Sequence, residues 1–252
     1  MLLEGKTAVI YGGGGSIGGA CARAFAREGA NVFLCGRTLE KLETVAEEIR
    51  SAGGSASTAT VDALDEAAVE AHATEVVAET GSLDVSMNVI THPHTHGTPL
   101  VELAVEDYMA PIEVAARTTF ITSKAAGRRM IEQGSGAILF FGGPGDRSAP
   151  SDYLLGATQA AFDLIESFRR RLAIEVGRHG VRVVTLESGG VPDSLPEMEG
   201  GDEIAKLIAD STLLGRAATL EDVGNTAAFA ASDRARSMTA ATINVSAGAL
   251  MD

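Results

Sequence analysis

The chain has 252 residues, a length at which one α/β domain can still close around a single hydrophobic core. Hydrophobic residues make up 45% of it and charged residues 21%, which excludes a disordered or fibrous protein and predicts one globular domain over residues 1–252. The 34 acidic side chains outnumber the 20 basic ones, and the formal net charge of −14 would repel nucleic-acid phosphates and anionic lipid. We therefore expect neither a nucleic acid nor a membrane as partner.

The two cysteines and the start of the chain bear on the compartment. Cys21 and Cys35 both lie in apolar stretches, which is typical of buried thiols in a reducing environment rather than of a disulfide. The first residues show no basic region followed by a long apolar run, and no window approaches the roughly 18 apolar residues that a membrane span requires. These observations predict a cytoplasmic protein.

Short apolar or β-branched runs alternate with longer segments of helical spacing along the chain. The predicted strands are Thr7 to Tyr11, Asn31 to Cys35, Ala56 to Val61, Asp84 to Ile90, Ala137 to Phe141, Val181 to Leu186 and Thr242 to Val245. The predicted helices are Ile17 to Glu28, Leu39 to Ala52, Glu66 to Glu79, Glu106 to Glu132, Tyr153 to Arg178 and Glu221 to Ser232. This alternation predicts a three-layer, doubly wound Rossmann fold of the α/β class, with a seven-stranded parallel sheet.

The segment from Gly189 to Leu214 departs from the alternation. It is rich in glycine, proline and acidic residues, a composition typical of surface loops. We predict a mobile lid over a substrate site at about residues 189–214.

A glycine-rich turn, Gly12 to Gly19, follows the first predicted strand and precedes the first predicted helix. Glycine lets the backbone approach a pyrophosphate closely, and the N–H groups and dipole of the helix start stabilise its negative charge. Within a βαβ unit this predicts a nucleotide site, and a plain tight turn is the alternative interpretation. The binding residues predicted here are Gly12, Gly15, Ser16, Ile17 and Gly18.

The residues after the second predicted strand bear on which nicotinamide cofactor is bound. NAD-preferring sites carry an acid there, which accepts hydrogen bonds from the ribose hydroxyls. The run from Cys35 to Thr38 contains no carboxylate, and the Arg37 guanidinium could pair with a 2′-phosphate. The sequence therefore favours NADP(H) over NAD(H), unless Arg37 is simply a solvated residue at the entry to the next helix.

Motifs in one order along the whole chain carry a family resemblance. They are the glycine turn, Val61-Asp62, Leu83-Asp84-Val85 with Asn88, Gly136-Ala137-Ile138, Gly180-Val181-Arg182-Val183, Leu214-Gly215-Arg216, Glu221-Asp222-Val223 and Asn244-Val245. In these the chain resembles the short-chain dehydrogenase/reductase family. The resemblance implies that Asp62 contacts the adenine, that Asn88 lies beside the adenine ribose and that Val191 lies along the nicotinamide amide. It also implies a homodimer or homotetramer.

The resemblance does not extend to the family's catalytic residues. The family uses a Tyr-x-x-x-Lys pair on its long helix, a serine after the fifth strand and an asparagine on the preceding helix. Alignment places Leu155 and Gln159 at the first two positions, Gly142 at the serine and Ala115 at the asparagine. We therefore expect an atypical member without the usual tyrosine mechanism.

Tyr153, two positions before Leu155, is one candidate for the missing proton donor. Its position resembles the shifted tyrosine of enoyl-thioester reductase relatives. No lysine follows within seven residues, and a lone tyrosine with a pKa of about 10 is a poor acid–base catalyst at neutral pH. A half-buried phenol at the helix start is therefore the alternative to a catalytic role.

Three histidines, His92, His94 and His96, follow the fourth predicted strand at alternate positions. Pro93 favours an extended chain, in which alternate side chains face one way, so the imidazoles could converge on a metal ion or on an anionic group. Imidazole also titrates near neutral pH, which suits acid–base catalysis, and we select His92 and His94 as catalytic candidates. No carboxylate or cysteine stands at metal-ligand spacing, so we predict no metal; a solvated loop is the alternative.

Three functions are compatible with these observations. The first is an NADP(H)-dependent oxidoreductase acting on a small carbonyl, alcohol or activated alkene, with Tyr153, a cleft histidine or water as proton donor. The second is a catalytically silent nucleotide-binding or scaffold subunit. The third is a lyase, isomerase or hydrolase that uses the cleft histidines without redox chemistry.

Overall fold

Strands and helices alternate along the protein, whose computed structural model describes residues 1–94, 97–142, 154–195 and 200–251. The strands are β1 (Thr7–Tyr11), β2 (Asn31–Gly36), β3 (Ser55–Thr60), β4 (Val85–Asn88), β5 (Gly136–Gly142), β6 (Val181–Glu187) and β7 (Ala241–Asn244). The helices are α1 (Ser16–Arg27), α2 (Leu39–Ser51), α3 (Glu66–Thr80), α4 (Val105–Gln133), α5 (Ala157–Val176), α6 (Gly201–Asp210) and α7 (Leu220–Ala231). Short 3₁₀ helices span Gly177–His179, Pro192–Ser194 and Asp233–Ala235.

The strands lie parallel in one sheet, in the order β3-β2-β1-β4-β5-β6-β7. Tyr11, at the end of β1, pairs with Cys35 of β2 on one side and with Asn88 of β4 on the other, so the carboxyl ends of these strands meet at one edge. The strand order reverses at β1, and open α/β sheets bind ligands in the crevice that such a reversal leaves. The prediction of a doubly wound Rossmann fold with a seven-stranded parallel sheet is confirmed.

Helices cover both faces of the sheet. One core, with Phe25 and Leu34 fully buried, joins the sheet to α1, α2 and α7. A second core, which includes Met130 and Phe140, joins the opposite face to α3, α4 and α5. Full burial of one such side chain contributes about 1.5–3 kcal/mol, so both layers are held mainly by apolar contact. Among the described helices, none is long and apolar enough to cross a membrane.

Two helices in the segment after β5 differ from the predicted ones. The long helix begins at Ala157 instead of Tyr153, because Gly156 has a φ of 53° and a ψ of −126°, which no helix contains. Within the predicted lid, α6 forms over Gly201–Asp210, where the sequence analysis expected irregular chain. Whether this segment moves as a lid stays a prediction.

Arg169 of α5 is buried, although it lies in a run of three arginines, residues 169–171. Its guanidinium donates to Oε2 of Glu166 through Nε at 3.0 Å and Nη2 at 2.7 Å. The same carboxylate oxygen accepts a hydrogen bond of 3.1 Å from the Thr242 hydroxyl, so this cluster ties α5 to the edge strand β7. The ion pair of Arg169 with Glu166 is therefore largely shielded from solvent.

Gly224 of α7 allows α1 and α7 to pack closely. A Cβ at this position would lie 2.8 Å from the Ala20 carbonyl oxygen and 3.1 Å from the Ala24 Cβ, both on α1. We expect Gly224→Ala to lower the free energy of unfolding by about 1–3 kcal/mol, since the two helices must separate.

Gly127→Ala in α4 is the matched control for this prediction. A Cβ there would meet only the Ile138 Cδ1, at 3.9 Å, so alanine should stabilise the helix by up to about 1 kcal/mol. Urea denaturation midpoints measure both effects. Equal midpoints for the two variants would contradict the close packing of α1 on α7.

Candidate functional site

The glycine loop, residues 12–19, lies at the carboxyl end of β1. Gly12 has a φ of 88°, in the left-handed region that favours glycine. The N–H groups of Gly12 and Gly13 donate to the Cys35 carbonyl at 2.8 and 3.1 Å, which anchors the loop to β2. A Cβ on Gly18 would overlap the Gly12 carbonyl oxygen, so α1 crosses the end of β1 more closely than any side chain would permit.

The first turn of α1 is open to solvent at this crossing. Gly15 is its N-cap and, like Ser16, is exposed. The first N–H groups of a helix have no partner within the helix, and the first turn of α1 carries no acidic residue. The partial positive charge at this end can therefore hold an anion such as a phosphate.

Two basic side chains lie beside the glycine loop. Arg37 follows β2 and is exposed, and within the described ranges it forms no ion pair. Lys41 of α2 is also exposed, and a Cβ on Gly14 would lie 3.0 Å from the Lys41 Cβ. The sequence did not indicate Lys41, because only the folded chain places α2 beside Gly14.

Asp62 and Asn88 lie at the carboxyl ends of β3 and β4, which are separated in the sheet by β2 and β1. Asp62 is exposed two residues after β3, and its Oδ1 accepts a hydrogen bond of 3.0 Å from the Leu64 N–H. Asn88 is buried at the end of β4, where its Nδ2 donates to the Thr122 hydroxyl at 3.4 Å and its Oδ1 accepts from the Ile90 N–H at 3.0 Å. These bonds fix the Asn88 amide and direct the chain after β4.

The chain after β6 passes under helix α6. Val191 is buried and precedes the 3₁₀ helix Pro192–Ser194, whose Ser194 donates to the Val191 carbonyl through both its N–H and its hydroxyl. A Cβ on Gly190 would lie 2.6 Å from the Ile208 side chain of α6. Glycine at this position therefore lets α6 lie directly on the segment that ends in Val191.

His92 is buried in the segment that follows β4, with 6% of its surface exposed. Its ring packs edge-on against Phe162 of α5, with ring centroids 5.2 Å apart, and lines a small cavity together with Asn88. Nδ1 of His92 is buried and has no hydrogen-bond partner among the described residues. Burial, and next the neighbouring His94, lower the pKa of His92 below its ordinary value, so the ring is neutral at pH 7.

His94 lies exposed, two residues beyond His92, and the two rings are 5.5 Å apart between centroids. The structure thus brings two of the predicted catalytic residues together. The third, Tyr153, lies outside the described residues, as does His96. Within the described ranges, no group of three or more His, Cys, Asp or Glu side chains is arranged to hold a metal ion.

A second set of buried polar side chains lies beneath the glycine loop. The Cys35 Sγ is 3.5 Å from Nδ1 of His72, and the hydroxyl of Tyr11 is buried without a hydrogen-bond partner in the described chain. Burial raises the pKa of Tyr11 and of Cys35, and it lowers the pKa of His72. All three are uncharged at neutral pH and lie in the core beneath the loop.

Known proteins resemble this chain in both sequence and fold. The sequence profile of a family described as enoyl-(acyl carrier protein) reductase matches residues 13–249. The solved structure of a short-chain dehydrogenase/reductase from Serratia marcescens BCRC 10948 is 25% identical and superimposes with a TM-score of 0.83, over 98% of this chain and 99% of that one. The chain belongs to the short-chain dehydrogenase/reductase family.

Its relatives are oxidoreductases. Oxidoreductase asL5 of Sarocladium schorii is 33% identical over 98% of this chain and 96% of its own length. The D-threitol dehydrogenase of Mycolicibacterium smegmatis is 30% identical over 98% and 93%. A short-chain type dehydrogenase/reductase from Mycobacterium ulcerans, 24% identical, shares the fold with a TM-score of 0.89, over 99% of this chain and 91% of that one.

Gly142 stands where our alignment places the catalytic serine of the short-chain dehydrogenases. It ends β5 and pairs in register with Glu187, the last residue of β6. A Cβ on Gly142 would lie 3.5 Å from the Thr185 Cγ2 and 3.8 Å from the Phe162 Cδ1, which are ordinary contacts. The backbone there thus leaves room for a Cβ.

The other three aligned positions lie on or next to the two long helices. Gln159 is in the first turn of α5, where its Nε2 donates to Oδ1 of Asp163 at 3.0 Å. Leu155 precedes α5 and is half-buried, and Ala115 is buried on α4, where it lines the same cavity as His92. The chain thus places no titratable group at these three positions.

The two buried histidines predict a loss of stability in mild acid. Burial holds the pKa of His72 and of His92 below the ordinary value of 6.5. As the pH falls below that value, the unfolded chain binds more protons than the folded chain, so the free energy of unfolding decreases. We expect His92→Asn to remove part of this decrease, measured by urea denaturation between about pH 7.5 and pH 5.5.

His179→Asn is the control, because His179 precedes β6 at the opposite edge of the sheet and is half-exposed. The change assigned to His92 is the part that His179→Asn does not reproduce. If His92→Asn leaves the pH dependence unchanged, His92 is not the buried neutral group described above.

Proposed function

We propose that the protein is an NADP(H)-dependent oxidoreductase that transfers a hydride between the cofactor and a small carbonyl, alcohol or activated alkene, without the family's Tyr-x-x-x-Lys pair. The observation that carries this proposal is the glycine loop, because its close crossing leaves a helix start open at the crevice where the strand order reverses. The oxidoreductase relatives support the reaction class.

The residues of the glycine loop fit a pyrophosphate. Gly15 and Ser16 are exposed at the start of α1, and no side chain projects from Gly14 or Gly15 into the approach. Their N–H groups and the helix dipole would stabilise the negative charge, together with those of Ile17 and Gly18. On the same reading Asp62 would meet the adenine, Asn88 the adenine ribose and Val191 the nicotinamide amide.

The charges beside the loop support NADP(H) over NAD(H). Arg37 and Lys41 are both exposed there, and the run from Cys35 to Thr38 offers no carboxylate to the ribose hydroxyls. A 2′-phosphate placed between the two cations would gain charge-assisted hydrogen bonds, which are about twice as strong as neutral ones.

The proton would come from the loops that follow β4 and β5. When bound, the nicotinamide supplies or takes up the hydride. His94 is exposed beside the buried His92, and both belong to the chain that leaves β4 at the crevice. Tyr153, on the segment after β5, is the other candidate donor. Holding the substrate against the cofactor would itself supply part of the rate.

The remaining features of the proposal are a cytoplasmic location, one domain over residues 1–252 and a homodimer or homotetramer. They stay predictions from the sequence. The chemistry at Leu155, Gln159, Gly142 and Ala115 favours a second candidate, a catalytically silent nucleotide-binding subunit, because none of these side chains can supply a proton.

Arg37→Ala tests the cofactor preference. We expect it to weaken NADPH binding about 10- to 100-fold, since a charged hydrogen bond contributes about 1.5–3 kcal/mol, and to leave NADH binding nearly unchanged. Isothermal titration calorimetry measures both affinities. The control is Arg178→Ala, at the amino end of β6 on the opposite edge of the sheet. An equal loss for NADPH and NADH would contradict a role at the 2′-phosphate.

Turnover separates the two candidate functions. With NADPH or NADP⁺ and a panel of small carbonyls, alcohols and enones, we expect a change in nicotinamide absorbance. Tyr153→Phe or His94→Gln should lower kcat and change the KM for the cofactor much less. Absorbance that stays constant across the panel, while calorimetry detects NADPH binding, would contradict the oxidoreductase and support the silent subunit. Turnover of a substrate without any nicotinamide, lost in His92→Ala or His94→Ala, would instead support a non-redox enzyme.

A further inference from the structure

The cavity beside His92 has a polar lining although it lies between apolar layers. Its walls come from β4, α4 and β5 and from the segment after β4, and include Asn88, His92, Ala115, Thr118, Thr119 and Phe140. Asn88, His92 and the two threonines are each more than nine-tenths buried. Polar groups buried to this extent require hydrogen-bond partners.

Nδ1 of His92 is the polar atom in this wall that lacks a partner among the described residues. The Asn88 amide is already held by the Thr122 hydroxyl and the Ile90 N–H. The Thr118 hydroxyl donates to the Val114 carbonyl of its own helix at 2.8 Å, which leaves its oxygen able to accept. The wall therefore offers acceptors and one unpaired ring nitrogen within one small space.

The size of the cavity suits one water molecule. It leaves about 10 Å³ for the centre of a water molecule, close to the least space in which a buried water is found. Buried waters make about three hydrogen bonds, to polar groups that the protein itself leaves unpaired. Ala115, with no side chain beyond Cβ, keeps this space open on the α4 side.

We propose that this cavity is a binding site for one resident water molecule, which bridges Nδ1 of His92 to the threonine hydroxyls of α4. The water fixes the orientation of the imidazole, which packs on Phe162 at 5.2 Å and on His94 at 5.5 Å. His92 is thus a positioning residue: it holds the segment after β4 against α5 and holds His94 at the crevice. Its effect on turnover, though not the site itself, rests on the proposed function.

A crystal structure that resolves ordered water tests the site directly. We expect one water peak within about 3.2 Å of Nδ1 and within hydrogen-bond distance of the Thr118 or Thr119 hydroxyl. A cavity without such a peak overturns the proposal. This measurement needs no substrate or cofactor, so it is independent of whether the protein is an oxidoreductase.

Two variants of His92 give a second test. The expected change in Tm for His92→Phe differs in sign between a cavity that holds a water molecule and a dry cavity, which holds none. His92→Phe keeps the ring contacts but removes the nitrogen; it should lower Tm by about 2–4 °C if a water loses its partner there. In a dry cavity the same change removes an unpaired polar atom and leaves Tm equal or higher, which would overturn the proposal. His92→Asn, whose amide can reach the place of Nδ1, should retain the water peak.

Kinetics then test the positioning role once a substrate is known. His92→Phe should lower kcat, and His92→Asn should retain most of the wild-type kcat. The acid limb of the pH–rate profile of His92→Asn should keep its position, because His92 itself does not exchange the proton. A shift of that limb in His92→Asn would contradict the positioning role. A water peak in a protein without turnover would refute the proposed function and leave the site intact.

Discussion

The close crossing of α1 over the end of β1 is the contact on which the rest of the crevice depends. Gly18 packs on the Gly12 carbonyl without a Cβ between them, and Gly12 and Gly13 bond back to β2. This brings the start of α1 to the edge where the order of strands reverses. Any side chain at Gly18 would push the helix away and move its free N–H groups from the crevice. The start of α1 therefore lies at the crevice because this contact is made without a Cβ.

Glycine has a similar effect at two other helix contacts. Gly224 lets α7 lie against α1, and Gly190 lets α6 lie on the segment that ends in Val191. The apolar core beneath these contacts contributes most of the stability, but it does not choose how near the helices come to one another. In this fold the missing Cβ atoms set those distances, and the position of each loop at the carboxyl edge follows from them.

The sheet and most helices were predictable because period and turn chemistry are local properties of the sequence. The βαβ alternation forced parallel strands, and strand bounds differ from the predicted ones by two residues at most, as at the end of β4. Local patterns failed where tertiary contacts decide. Arg169 looks like a solvated charge but is buried on Glu166, and the amphipathic helix α6 lies in a segment whose composition is that of a loop. Gly156 sets the start of α5 at Ala157 through a backbone conformation that the sequence does not display.

At the site, the sequence identified residue types but not their environments. His92 and His94 looked equivalent, two residues apart in an extended segment, yet one is buried against Phe162 and the other exposed. That difference arises from packing against α5 and α4, which follow later in the sequence. The two imidazoles therefore have different proposed roles. Lys41 was missed for the same reason, since only the folded chain places α2 beside Gly14.

The position of Gly142 bears on where a substrate would lie under the proposed function. A Cβ there would meet only ordinary contacts with Thr185 and Phe162, so the end of β5 is not closely packed at this point. Ala115 also has a small side chain, which borders the polar cavity next to His92. Under the proposed function, in which these two residues stand in place of the family's serine and asparagine, a substrate oxygen or a water molecule would take the place of the polar side chains. Proton transfer would then depend on the segments that follow β4 and β5, because neither Gly142 nor Ala115 carries a polar side chain.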